Sequence, residues 1–176
     1  MDLLGEQLAL KAYQNVIKRF YGFWVDWQPH VAELLRDEAL LEPRRRLYLL
    51  EADLAALGFS VDEVGALPRC PLPALRDAAE ALGSLYVMEG STLGGRVIER
   101  HVERYLGLGG QSGCAYFAGY GAGTGAMWRA FLARLDAEPA ERAERIGNGA
   151  SATFECLAEW FNLDLEAEKQ KGAVSA

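Results

Sequence analysis

Residues 82–106, LGSLYVMEGSTLGGRVIERHVERYL, decide how the chain reads. The stretch has the apolar spacing of one long amphipathic helix, with Gly90, Ser91, Gly94 and Gly95 in its middle. Glycine in a helix interior costs roughly 0.5–1 kcal/mol relative to alanine. Gly90, Gly94 and Gly95 crowd into six residues, so the local penalty needs a reason. Gly90 and Gly94 lie four apart, on one face, so the bare patch is a stripe. Two uses stand side by side: close packing of another helix, or close approach of a flat ligand.

Working outward, helical periods dominate. Tyr13, Val16, Ile17, Phe20, Trp24, Trp27, Val31 and Leu34 step by three or four and predict a first helix from Leu8 to Arg36. Gly22 and Pro29 lie within it, and Pro29 predicts a bend. Glu42-Pro43 opens a second helix running through Leu57, closed by Gly58. Phe59 to Pro73 reads as a loop, with Pro68, Pro71, Pro73 and Gly65. The long glycine-bearing helix ends at Gly107. Gly109 to Gly125 reads as an irregular connector with a short helical turn. A helix over Thr124–Leu135 carries Met127, Trp128, Phe131 and Leu135. Glu138-Pro139 starts the last one, to Asn162, with Phe154, Leu157, Trp160 and Phe161. No alternating Val/Ile run suggests a strand. The predicted architecture is all-α: one helical bundle domain over residues 1–165, with a glycine-kinked long helix and a polar tail over 166–176.

Composition narrows the function. The 176 residues suit one domain with a real core, and 51% hydrophobic content excludes a disordered chain. A net charge of −7 argues against nucleic acid as partner. The basic run Arg44-Arg45-Arg46 reads as a solvated helix start rather than a binding patch. No apolar run reaches the length of a membrane span, and no signal peptide is visible. Cys70, Cys114 and Cys156 are odd in number and widely spaced, which is neither a disulfide framework nor a zinc site. That pattern suits a reducing cytoplasm. His30 and His101, the only histidines, are not clustered with other ligand types, so no protein-ligated metal site is expected.

The motif Tyr86-Val-Met-Glu89-Gly90-Ser91-Thr92-Leu93-Gly94-Gly95 resembles the distal helix of bacterial haem oxygenases, in particular the bacteriophytochrome-associated type. The resemblance continues at Phe117-Ala-Gly-Tyr120-Gly121, Met127-Trp128-Arg129-Ala-Phe131 and Ala152-Thr-Phe154, and covers Leu8 to Asn162. It implies a haem-oxygenase-like bundle that cleaves haem oxidatively to biliverdin, carbon monoxide and iron. Haem would be both cofactor and substrate. Electrons would come from a donor such as a ferredoxin or a flavin reductase. By the same resemblance Gly90, Ser91, Gly94 and Gly95 would line the distal haem face. Tyr86 matches a position whose hydroxyl meets a haem propionate, or is a tyrosine at the edge of the core. Protons would arrive through ordered water held by backbone carbonyls. Phe117 and Tyr120 wall the ring or belong to the core, and Glu89 is expected to face solvent.

The family's proximal histidine sits on an N-terminal helix upstream of the aligned segment, and the expectation is that Met1-Asp-Leu-Leu-Gly5 begins after it. Neither His30 nor His101 matches that position. Three accounts follow: a shortened start, a non-haem relative, or a homodimer whose partner covers the open groove. The alternative function is a non-catalytic protein of this fold that binds a tetrapyrrole or another apolar ligand.

Overall fold

Helix α1 (Leu10–Leu35) sends Tyr13, Ile17, Phe23, Trp24 and Trp27 into the centre of the molecule, where all are almost wholly buried. The computed structural model describes Gly5 and residues 8–173, with side chains as far as Leu163. The other residues at the two ends, which fall in the predicted domain start and polar tail, lie outside the described residues. Every regular element among the described residues is helical: α2 (Glu38–Leu41), α3 (Leu47–Ala56), α4 (Val61–Gly65), α5 (Ala78–Leu106), α6 (Ala115–Ala118), α7 (Thr124–Asp136) and α8 (Ala143–Ala173). The all-α expectation holds. α1 and α5 run unbroken through Pro29 and through the glycines respectively. α8 continues in helix well past Asn162, into the stretch read as a tail.

Two local expectations are corrected. The helix expected from Glu42 to Leu57 is divided. A 3-10 turn at Glu42–Arg44 is followed by extended backbone at Arg45, and α3 begins only at Leu47. The Gln28 side-chain oxygen accepts from the backbone N–H groups of Arg46 and Leu47, at 3.1 and 3.3 Å, and so stabilises that restart. The predicted loop contains α4, begun by a capping box in which Ser60 and Glu63 exchange hydrogen bonds. In the glycine-rich connector the expected short helical turn is α6, held by the buried Asp53 carboxylate, which accepts from the N–H groups of Ala115 and Tyr116.

α5 and α8 cross with almost no space between their backbones. A Cβ on Gly83 would lie 1.8 Å from the carbonyl oxygen of Ile146, and one on Gly149 would lie 1.9 Å from that of Glu80. These two glycines make the crossing possible. Within it Thr153 donates to the Ser84 hydroxyl at 2.7 Å, and Trp27 Nε1 from α1 donates to the same oxygen at 2.8 Å. Three helices are thereby locked in register by one buried serine.

Candidate functional site

The α5–α8 crossing opens, toward the middle of α5, into an apolar groove of about 700 Å³. Tyr86, Gly90, Ser91 and Leu93 of α5 form one side, Trp128 of α7 one end, and Phe154, Leu157 and Phe161 of α8 the opposite wall, with Phe20 from α1. Helical spacing explains part of the lining: Tyr86 and Gly90 fall on one face of α5, one turn apart, while Gly94, a turn further on, is not among the lining residues. Phe154 is 58% exposed and Leu93 47%, so a large apolar surface faces outward along this groove. Such contiguous surface marks a binding site more often than an ordinary protein exterior. The volume lies within the range of about 300–1,000 Å³ typical of small-molecule and cofactor sites.

The four residues of the glycine patch do different things. Gly90 lies in the groove, where a Cβ would meet only the Trp128 ring, at 3.5 Å. Gly94 is open, with nothing within 4 Å of a Cβ. Gly95 is buried, and a Cβ there would lie 2.6 Å from the Phe117 carbonyl oxygen. Close approach of α6 explains this third glycine. The Ser91 hydroxyl donates to the Met88 carbonyl at 2.7 Å. Tyr86 sits at the groove's rim, partly exposed, its ring 5.4 Å from that of Trp128. Phe117 is buried in the core, packed between Tyr13, Phe20 and Tyr116.

Directly beneath the patch lies a polar network that the sequence reading places in solvent. Glu89 is 1% exposed. Its carboxylate is 3.4 Å from Arg44 Nε and 3.6 Å from an Arg46 guanidinium nitrogen, and it accepts from the Tyr120 hydroxyl at 2.7 Å. Arg46 also donates to the Met88 carbonyl at 2.8 Å and lies over the Trp24 ring. The basic run therefore splits: Arg44 and Arg46 are buried, and only Arg45 reaches outward, to Glu38 and Glu42. The break before α3 turns the two flanking guanidiniums inward. Two cations face one carboxylate, and Glu89 Oε2 and the Nε atoms of both buried arginines lack a hydrogen-bond partner. Burial pushes the Glu89 carboxyl up from the ordinary carboxylate range, opposed by Arg46, the Tyr120 hydroxyl and Arg44. Tyr120 is raised for the same first reason, its burial.

A small void of about 100 Å³ separates this network from the groove. Arg46, Ser91, Thr92, Gly95 and Phe20 are among the residues around it, and Ser91 and Phe20 also line the groove. Neither histidine lines the groove. His101 shares a hydrogen bond of 3.0 Å with the Gly5 carbonyl and stacks on Tyr105, and His30 is half-buried in α1. Among the described residues no helix is long and apolar enough to cross a membrane.

Comparison with known proteins points to one family. A haem oxygenase of Xanthomonas campestris pv. campestris is 40% identical over 163 residues, covering 88% of this chain and 92% of that protein. The haem oxygenase PigA of Pseudomonas aeruginosa is 35% identical over 151 residues, 81% of this chain and 74% of that protein. The sequence profile of the family described as Heme oxygenase matches residues 1–163, which takes in every residue of the groove and of the network beneath it. With the bare α5 stripe, the aromatic groove and this match together, the chain belongs to the haem oxygenase family.

Proposed function

We propose that this chain takes haem into the α5–α8 groove and opens it oxidatively to biliverdin, carbon monoxide and iron. The observation that carries the reading is Gly90: a bare helix surface inside an aromatic groove, next in the chain to the buried Glu89 that faces Arg44 and Arg46. Haem, when bound, supplies both the redox iron and the ring that is cleaved. The groove's walls fit the ring, and no histidine among its lining residues is there to hold the iron. Phe154, Leu157, Phe161 and Phe20 give apolar walls for a flat macrocycle, and Gly90 lets backbone approach where a side chain would stand. Tyr86, at the rim, is placed for a propionate.

Orientation and proton supply are the protein's remaining tasks. Phe154 and Trp128, which line the groove, would hold the ring there. The void between Ser91 and Arg46 has room for about three water molecules at roughly 30 Å³ each, and it has polar partners for them. Water there would bond the Ser91 hydroxyl at the groove's edge and the Arg46 guanidinium, which in turn faces Glu89. Electrons come from a separate donor such as a ferredoxin or a flavin reductase. A second copy of the chain covering the groove's open side would form a homodimer. The cytoplasm is the proposed compartment, in keeping with three free thiols.

The test is direct. Load the full chain with hemin, then add ascorbate or a reductase under oxygen. Loss of the Soret band with growth of the red biliverdin absorption supports the reading. Tight binding with the ring left whole refutes it in favour of a non-catalytic tetrapyrrole-binding protein of this fold.

A further inference from the structure

Cys70 and Cys156, far apart in sequence, lie with their sulfur atoms 3.6 Å apart on the side of α8 away from the haem groove. Cys70 is buried in the segment between α4 and α5, and its backbone N–H donates to the Gly22 carbonyl of α1 at 2.9 Å. Cys156 is half-buried on α8 beside a second groove lined by Pro71, Leu72, Pro73 and Trp160. Both thiols can donate to one acceptor, the Pro71 carbonyl, at 3.3 and 3.1 Å. The third cysteine, Cys114, is fully buried on the far side of α1, beside Tyr13 and Asp53.

We infer that Cys70 and Cys156 form a peroxide-responsive thiol pair, whose disulfide fastens α8 to the segment pinned on α1. The contact, the shared acceptor and the exposure of one partner beside an open groove carry this. The division of labour follows from the surroundings. The contact with Cys70 holds the Cys156 thiol below its ordinary value, while that contact and burial push Cys70 up. Cys156, half-buried beside the open groove while Cys70 is buried, is the sulfur that peroxide meets first.

The chemistry balances with one hydrogen peroxide. The Cys156 thiolate attacks a peroxide oxygen; an S–O bond forms, the O–O bond breaks, and the departing hydroxide takes up a proton as water. The Cys70 sulfur then attacks the sulfenic sulfur; the S–S bond forms, the S–O bond breaks, and the second hydroxide leaves as water with the Cys70 proton. Two thiols are oxidised by two electrons, and one peroxide is reduced to two waters. A cellular thiol reductant reverses the bond by exchange. The consequence reaches the haem groove, because α8 carries Phe154, Leu157 and Phe161 on its other side and α1 carries Phe20.

Treat the purified full chain with a few equivalents of hydrogen peroxide, alkylate, and map thiols by mass spectrometry. The expected result is loss of two of three alkylatable thiols, with a peptide pair joined through Cys70 and Cys156 that dithiothreitol separates. The melting midpoint should rise, since the bridge closes a loop of 86 residues. In Cys70→Ser, Cys156 should stop at sulfenic acid and react with dimedone; in Cys156→Ser, Cys70 should stay reduced. Both thiols still alkylatable after peroxide, Cys156 driven to sulfinic acid with Cys70 free, or a bridge to a second chain would each overturn the inference.

Discussion

The Tyr120 hydroxyl donates to Glu89 Oε1 at 2.7 Å, joining the glycine-rich connector to the underside of α5 just behind Gly90. This bond matters because the carboxylate it touches is also the counter-charge of Arg44 and Arg46, both nearly free of solvent. The network thus anchors three pieces of chain, the α2–α3 break, α5 and the connector, under the patch that would face haem.

Removing the carboxylate should be costly. Glu89→Ala leaves two buried guanidiniums facing each other, and the expected loss is about 3–5 kcal/mol in urea unfolding. Tyr120→Phe removes one hydrogen bond to a charged group, with an expected loss of about 1.5–3 kcal/mol. If Glu89→Ala unfolds at the wild-type midpoint, the network does not hold the fold together.

The glycine patch can be divided by substitution. Gly94→Leu meets no neighbour and replaces the poorer helix former, so stability should hold or rise by up to roughly 0.8 kcal/mol, while hemin binding falls. Gly95→Ala drives a methyl against the Phe117 carbonyl and should lose on the order of 1–3 kcal/mol. Thermal melts and a hemin titration on both variants decide. A destabilised Gly94→Leu with hemin binding intact would count against the ligand-facing role of that position.

How much of this was legible in the sequence follows from what sequence patterns encode. The all-α fold, the long α5 and the α7 and α8 apolar faces came from helical spacing, which local sequence carries. Packing partners are not local. Gly95 reads like Gly90 in the sequence, and only the position of α6 separates a contact glycine from a groove glycine. Gly83 and Gly149 lie on different helices, so their joint crossing has no signature in either stretch. Arg44 and Arg46 read as a solvated basic run because their partner Glu89 is more than forty residues away. One signal was present and overlooked: Ser60 followed three residues later by Glu63 is a capping box, and it starts α4.

The α5–α8 crossing makes its own prediction. Gly149→Ala puts a methyl 1.9 Å from the Glu80 carbonyl oxygen and should destabilise by about 1–3 kcal/mol or more, since backbone on both sides must give. Gly147→Ala, two residues earlier on the same helix, meets nothing within 4 Å and should stabilise by up to roughly 1 kcal/mol. Opposite signs from two neighbouring glycines, read by differential scanning calorimetry, test the crossing independently of any ligand. Equal effects would mean that α8 does not approach α5 as described.

The start of α5 should give the protein part of its acid sensitivity. Asp77 caps the helix by accepting from Ala79 and Glu80, and the Glu80 carboxylate accepts from both the backbone N–H and the guanidinium of Arg76. Those bonds favour the ionised form, and the Arg76 guanidinium holds the Glu80 carboxyl below its ordinary 4.5. A carboxyl lowered in the folded state binds its proton more weakly there than in the unfolded chain. Its contribution to stability is therefore complete above pH 4.5 and drains away as pH falls through the lower, folded value. Glu80→Gln should have a lower urea midpoint than wild type at pH 7, and the two midpoints should converge as the solution is acidified below that range. A gap that stays constant from neutral to acid pH would show that Glu80 stabilises α5 by packing and neutral hydrogen bonds, with no share from its charge.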